Sequence, residues 1–333
     1  MNQGERNLTE SNGYKTRDIM KIGVIGAGNW GKNIVNNLSD LGVLSGIADE
    51  VEENRLRAAE ACPGLDTFEN HGDLLDAGYD AVAIATPAHT HFDIAKQAIL
   101  KGLDVFVEKP MTLGAKDAEE LCSIAQSEGR ILMVGHLLLY QPAISYIKEA
   151  LVRGDIGNVF TMHQRRSKLG RARAVENTLW SFGVHDVAVL LYLSGQSPCG
   201  VNVAGHCGLQ PNVEDDTYLH LSFPDGSMAH LHNSWLWPRV ERGLIIVGEK
   251  GMLVYDEVAQ TVSLAKKTID ADLQNVDNGE EVVFEGSGQP LKIELEHFID
   301  SCRTRTTPKS SGQNGLDVVC VLEQAENILR PTS

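Results

Sequence analysis

The sequence predicts an α/β fold: a doubly wound parallel sheet of Rossmann type, followed by an α+β domain with an open, mostly antiparallel sheet. Three observations predict it. From Lys21 to about Tyr140, short apolar runs alternate with helical stretches, the pattern of a parallel sheet with helices on both faces. The first of these runs leads into a glycine turn, Gly26-Ala27-Gly28-Asn29-Trp30-Gly31. Beyond Pro142 the period shortens to two and tight turns appear, which reads as hairpins. A chain of 333 residues forms about two domains. They are expected over residues 20–139, binding a dinucleotide, and 140–333, binding substrate and supporting oligomers. Residues 1–19 are polar, lack the apolar core of a secretion signal, and are expected to form a disordered extension.

In the first domain, strands are predicted at Lys21–Ile25, Val43–Ala48, Ala81–Ala85, Val105–Val107 and Ile131–Val134. After the glycine turn, Ile34, Val35 and Leu38 fall on one face of a helix. Further helices are predicted at Thr90–Lys101 and Ala115–Ser127. In the second domain a helix at Ile144–Val152 ends at Gly154. Tyr218–Phe223 turns at Pro224-Asp225-Gly226 into Met228–Trp235, and Leu244–Val247 and Met252–Tyr255 flank Gly248–Gly251 in the same way. A helix at Val184–Leu193 interrupts these strands, and Leu291–Arg303 and Leu316–Leu329 close the chain.

Composition narrows the function. A net charge of −16 argues against nucleic acid and anionic membrane surfaces as partners. The longest apolar run, Ile131 to Tyr140, contains Gly135 and His136 and is shorter than the roughly 20 residues of a membrane span. The six cysteines show no CxxC spacing, which predicts free thiols in a cytoplasmic protein and no zinc site.

The glycine turn has the context that a dinucleotide fingerprint requires, between a strand and a helix. Gly26 permits the tight turn, Gly28 lets a pyrophosphate approach the backbone, and Gly31 allows close helix–strand packing; Asn29 and Trp30 complete the turn. The second strand ends at Asp49, about 18 residues after Gly31, near the spacing expected of a ribose-binding acid. Asp49 and Glu50 would repel a 2′-phosphate, which favours NAD over NADP. Asp49 could equally cap the next helix. Thr86 and Pro87 end the strand expected beside the nicotinamide half. His91 is read as a cofactor contact or as a residue of the following helix N-terminus, and His89 likewise.

Two residues suit acid–base chemistry. Lys109, in Glu108-Lys109-Pro110, ends a strand at the sheet's carboxyl edge, where Glu108 and Lys109 would adjoin the nicotinamide. Its ammonium can lower the pKa of a substrate hydroxyl or hold a ketone oxygen. His185 opens the Val184–Leu193 helix beside Asp186, and a histidine suits removal of a hydroxyl proton as hydride departs. Either could be the base.

The glycine fingerprint, Thr86-Pro87, Glu108-Lys109-Pro110, Gly135-His136 with Pro142 after it, and Gly183-Val184-His185-Asp186 together resemble the Gfo/Idh/MocA family. The likeness runs from Lys21 to the tail helices. It implies a Rossmann domain plus an α/β domain whose open sheet supports oligomers, and oxidation of sugar or cyclitol hydroxyls. Many members carry an aspartate four positions before the histidine, and here Ser181 stands in its place. That serine, with Arg165-Arg166-Ser167-Lys168-Leu169-Gly170-Arg171 and Glu176-Asn177-Thr178-Leu179-Trp180, resembles the branch acting on nucleotide-linked amino sugars. The implied reaction is oxidation of the 3-hydroxyl of UDP-N-acetylglucosamine by NAD. The uronate of that sugar, inositol or a free sugar, and a non-catalytic NAD-sensing role are the alternatives.

On this reading Arg165, Arg166, Lys168, Arg171 and Arg173 form either a diphosphate site or a solvated basic loop. Tyr140, Arg166, Arg171, Asn177 and Trp180 join Lys109 and His185 as expected substrate contacts, while His136 only terminates its strand. A homo-oligomer, dimer or tetramer, is expected if a second subunit covers the sheet bearing Trp235 and Trp237; the chain's own helices are the other cover. A 3-keto product would suit a following aminotransferase.

Overall fold

The computed structural model describes residues 20–330; the extension expected at residues 1–19 lies outside them. The first sheet contains β1 (Ile22–Ile25), β2 (Leu44–Ala48), β3 (Asp66–Phe68), β4 (Ala81–Ile84), β5 (Asp104–Glu108) and β6 (Leu132–Gly135). They pair in parallel in the order β3-β2-β1-β4-β5-β6. Its helices are α1 (Gly31–Asp40), α2 (Glu52–Ala61), α3 (His71–Leu75), α4 (His91–Leu100) and α5 (Ala115–Ser127). Every residue of β1, β4, β5 and β6 is buried, as central parallel strands require. The buried face of α1 is Gly31, Ile34, Val35 and Leu38. The strand order reverses between β1 and β4, and a crevice outside the strand ends at such a point is where this architecture binds ligands.

After α6 (Pro142–Arg153), which stops at Gly154 in the left-handed region (φ 74°), the second sheet begins with β7 (Val159–Ser167). Then come α7 (Val184–Ser194), β8 (Gly200–His206), β9 (Asp216–Ser222), β10 (Met228–Ser234), β11 (Glu241–Gly248), β12 (Gly251–Asp256), β13 (Thr261–Ile269) and β14 (Asn275–Glu285). The order is β14-β13-β12-β11-β7-β10-β9-β8, antiparallel except where β10 runs parallel to β7. Alternation sends Met162, Gln164 and Arg166 inward, beneath α7, and His163 and Arg165 to the open face.

The tail helices, α8 (Pro290–Thr304) and α9 (Gly312–Leu329), return to the first sheet. The Phe298 ring packs 5.8 Å from that of Phe106 on β5, and Ser310 O accepts from Val134 N of β6 at 2.8 Å. Residues read from sequence as part of the second domain therefore complete the first domain's core. Among the described residues no helix is long and apolar enough to cross a membrane.

Candidate active site

The cofactor turn joins β1 to α1. Gly26 adopts φ +90°, and a Cβ there would lie 2.8 Å from the Ala85 carbonyl oxygen. At Gly31 a Cβ would fall 1.9 Å from the Gly26 carbonyl oxygen, so only glycine closes this turn. Gly28, by contrast, faces open space. These three environments match the demands of a dinucleotide cradle: two close backbone approaches, one open backbone, and free N–H groups at a helix start. The adjoining cleft is lined by Gly26, Gly28, Asp49, Glu50, Thr86 and Pro87, and His89 also reaches it. Asn29 and Trp30 stand exposed on the turn.

Asp49 directly follows β2 and lies against this turn. Its carboxylate accepts from Ala27 N at 2.7 Å, and also from Val51 N at 2.9 Å, so it ties the turn and starts the approach to α2 together. Arg57 of α2 donates to Ala27 O at 2.6 Å, a support that no local signal in the sequence announces.

His91 is not a cofactor contact. It is buried, and its ring lies between two backbone carbonyls, Pro110 O at 2.8 Å and Thr86 O at 2.9 Å. Burial lowers its pKa against the pull of both carbonyls, so the neutral ring donates to one of them and pins together the turns after β4 and β5. Glu108 also lies within the protein rather than on the cleft wall. One oxygen accepts from the Trp30 indole N–H and the other from Lys109 N at 3.2 Å.

Lys109 follows β5 directly and reaches across to the second domain, donating from Nζ to Ser181 O at 3.3 Å. Ser181 belongs to a π-helical turn, Leu179–Gly183, that runs into α7 one turn before His185. Such turns redirect side chains and recur at functional sites. Burial lowers the Lys109 pKa, with Glu108 and Glu176 opposing and Arg173 assisting. His185 is pushed well below the usual histidine range by burial, then by Lys109, Arg166 and His136. His136, directly after β6, is buried with neither ring nitrogen bonded, and burial with the Lys109 charge lowers it to about 3. The sequence reading gave His136 no part in this group. The two histidines of this centre are therefore neutral, and Lys109 is the group beside them whose charged form Glu108 and Glu176 support against burial.

Asp186 does not assist His185. Its buried carboxylate accepts from Gln164 at 3.0 Å, Arg166 at 2.9 Å and Asn233 at 3.0 Å, while the His185 Nδ1 is enclosed without a partner. The expected substrate contact of Arg166 is corrected with it. The guanidinium is buried, with Nε on Asp186 and Nη1 and Nη2 on Glu257 at 3.0 and 2.6 Å. It holds α7 to the sheet instead of meeting a ligand. Arg165 points to the opposite face and pairs with Glu241 at 2.7 Å.

Three more expected contacts prove internal. The Tyr140 hydroxyl is buried against Ser310 Oγ at 3.0 Å. Asn177 donates to Glu214 at 2.8 Å and accepts from Leu179 N and Trp180 N, which caps the π-helical turn. The Trp180 indole donates to Glu326 at 2.9 Å. What remains of the basic cluster on the site side is Lys168, whose ammonium lies 5.8 Å over the Phe182 ring, with Arg171 and Arg173 exposed on the segment that leads to Asn177.

Comparison with known proteins accords with this geometry. Residues 20–136 match a family model described as "Oxidoreductase family, NAD-binding Rossmann fold" (GFO_IDH_MocA), and residues 144–254 match the C-terminal domain of the same family. The chain is similar to UDP-N-acetylglucosamine 3-dehydrogenase of Acidithiobacillus ferrooxidans, 30% identical over 215 residues, which are 64% of this chain and 66% of that protein. That stretch is just under two thirds of the relative's length, whereas the solved structure of the same enzyme, GnnA, superposes over 93% of this chain and 97% of its own with a TM-score of 0.83 at 25% identity. The Rhizobium meliloti rhizopine catabolism protein MocA is 24% identical over 93% of this chain and 95% of its own length. Inositol 2-dehydrogenase of Ralstonia nicotianae is 28% identical over 53% of this chain and 55% of its own.

Proposed function

The chain belongs to the Gfo/Idh/MocA oxidoreductase family, whose members include dehydrogenases of sugar CH–OH groups, and from that premise we propose that it oxidises the 3-hydroxyl of UDP-N-acetylglucosamine to the 3-keto sugar nucleotide with NAD. The observation that carries the proposal is the meeting of two domains at one point: Lys109 Nζ, at the carboxyl end of β5, bonded to the turn that presents His185. The 30% identical relative names the substrate class. Lys168, Arg171 and Arg173 supply cations for a diphosphate beside that point.

NAD, when bound, supplies the hydride acceptor. The chain's residues do the rest. Gly26, Gly28 and Gly31 let the dinucleotide reach the backbone, and Asp49 with Glu50 selects the 2′-hydroxyl over a 2′-phosphate. The Lys109 ammonium stabilises the oxygen of the reacting C3–OH as negative charge gathers there. Neutral His185 offers a lone pair to the hydroxyl proton. As that proton leaves, the charge left on the oxygen is met by Lys109 while hydride departs from the carbon. The balance is one alcohol and one NAD⁺ giving one ketone, one NADH and one proton.

The test is NADH absorbance on mixing enzyme and NAD with UDP-N-acetylglucosamine, and separately with its uronate, with the ketone trapped so that equilibrium cannot mask turnover. Signal with the neutral sugar is the expected result. Signal with the uronate alone reassigns part of the Lys168–Arg173 segment to a carboxylate, and silence with both overturns the proposal in favour of free polyols.

A further inference from the structure

Glu108 is a buried carboxyl behind the site, with no reacting role in it. Its space exists because β6 places Gly135 beside it in register; a Cβ at Gly135 would stand 3.0 Å from one carboxyl oxygen and 3.1 Å from the other. Filling that gap with an apolar side chain would cost less than enclosing an acid. The two oxygens go to two different places. Oε1 accepts from the indole of Trp30, the residue that starts α1 on the cofactor turn, and Oε2 accepts from the backbone N–H of Lys109. Trp30 is 41% exposed, so its ring forms part of the turn's surface while its N–H is held from within.

We propose that Glu108 is a positioning residue that couples the cofactor turn to the reaction centre: one carboxylate oxygen holds Trp30, the other holds the Lys109 backbone, and seating of the dinucleotide against Trp30 fixes the lysine. The coupling rests on the reading of Lys109 as the reacting group. The charged and titratable groups around Glu108 are Lys109, next to it in the chain, and Glu294 on α8, which is fully buried with neither oxygen bonded; His136, directly after Gly135, is neutral. Burial lifts Glu108 to about 7, while the Trp30 bond, the Lys109 charge and the Lys109 amide pull it down. Losing the indole therefore moves Glu108 towards its neutral form and removes charge that supports the Lys109 ammonium.

NAD is titrated calorimetrically, without sugar, into the full-length enzyme and its Trp30→Phe, Glu108→Gln and doubly substituted variants. The pH dependence of acetic anhydride labelling at Lys109 is followed in the same proteins without NAD. Each single change should weaken NAD binding about tenfold, the size of one charge-assisted hydrogen bond. The double variant should be no weaker than the weaker single, because both remove the same link, and Lys109 should label at lower pH in each single. Additive losses, or Lys109 labelling in Trp30→Phe that matches the parent, overturn the proposal. Trp30→Phe alone decides the matter if Glu108→Gln does not fold. Failure of the underlying reading looks different: Lys109→Ala would then keep full turnover whatever Trp30→Phe does.

Discussion

Replacing Arg166 with methionine separates a structural arginine from a ligand-binding one. In the fold its guanidinium lies between Asp186, fully buried on α7, and Glu257 just after β12, and it keeps two enclosed carboxylates apart. Removing one member of such a buried set costs about 3–5 kcal/mol, chiefly because the partners are left uncompensated. For a domain of this size that is a fall in Tm on the order of 10 °C. The loss should depend on pH. Burial already holds the Asp186 carboxyl above its ordinary value against the pull of Arg166, and without the arginine it rises further. A carboxyl whose folded pKa exceeds its unfolded one leaves the fold most stable in acid and withdraws stability as pH rises from the unfolded value of 3.8 through the raised folded value. Melting of Arg166→Met should thus approach that of the parent protein in mild acid and fall away from it towards pH 8. A variant that melts like the parent at pH 8 while its KM for UDP-N-acetylglucosamine climbs would refute the reasoning and return Arg166 to the ligand.

Arg171→Ala, at an exposed position, should raise KM for the UDP-sugar about tenfold and leave both Tm and NAD binding unchanged; equal loss of both ligands would instead mean a damaged fold. Gly31→Ala should weaken calorimetric NAD binding at least tenfold, since its Cβ would sit 1.9 Å from the Gly26 carbonyl oxygen and force the turn open; unchanged binding contradicts the cradle. Lys109→Ala should cut kcat by roughly 100-fold or more with NAD affinity retained, the loss expected for an oxyanion or acid–base partner. Asp49→Asn should narrow the preference for NAD over NADP, read as the ratio of kcat/KM values.

The first sheet was legible because its signals are local. Four-residue apolar runs such as Ile22–Ile25 and Ala81–Ile84, each punctuated by glycine or proline, carry their own assignment, and α5 was read with its observed ends. β3 escaped notice because Asp66-Thr67-Phe68 is a short edge strand with no apolar run to show it. The same contrast governs the site. Glycines that must approach a backbone, and a lysine that must end a strand, are dictated within a few residues of themselves. Tyr140 is occupied by Ser310, 170 residues away, Trp180 by Glu326, 146 away, and Arg166 by Glu257, 91 away. A residue type tells nothing of a partner at such distance, so a buried tyrosine, tryptophan or arginine reads in sequence like one that awaits a ligand.

Once Val159–Ser167 is known to be a strand, its alternation separates Arg165 from Arg166. Val159–Ser167 is a nine-residue strand, and along any strand neighbours point to opposite faces. Arg165 and Arg166 therefore could not both serve one ligand: one belongs to the open face, the other to the interior beneath α7. On the proposed function, diphosphate recognition would begin beyond the strand's end at Ser167. Only from Lys168 onward does the chain leave the sheet, without regular structure, and pass over to Asn177 and the turn that carries Ser181 to Lys109. A cluster that looks uniform in sequence is thus three things in space: a surface pair with Glu241, a buried brace between two carboxylates, and a short exposed segment at the mouth of the site. On the proposed function, the third is the part left to meet the substrate's diphosphate.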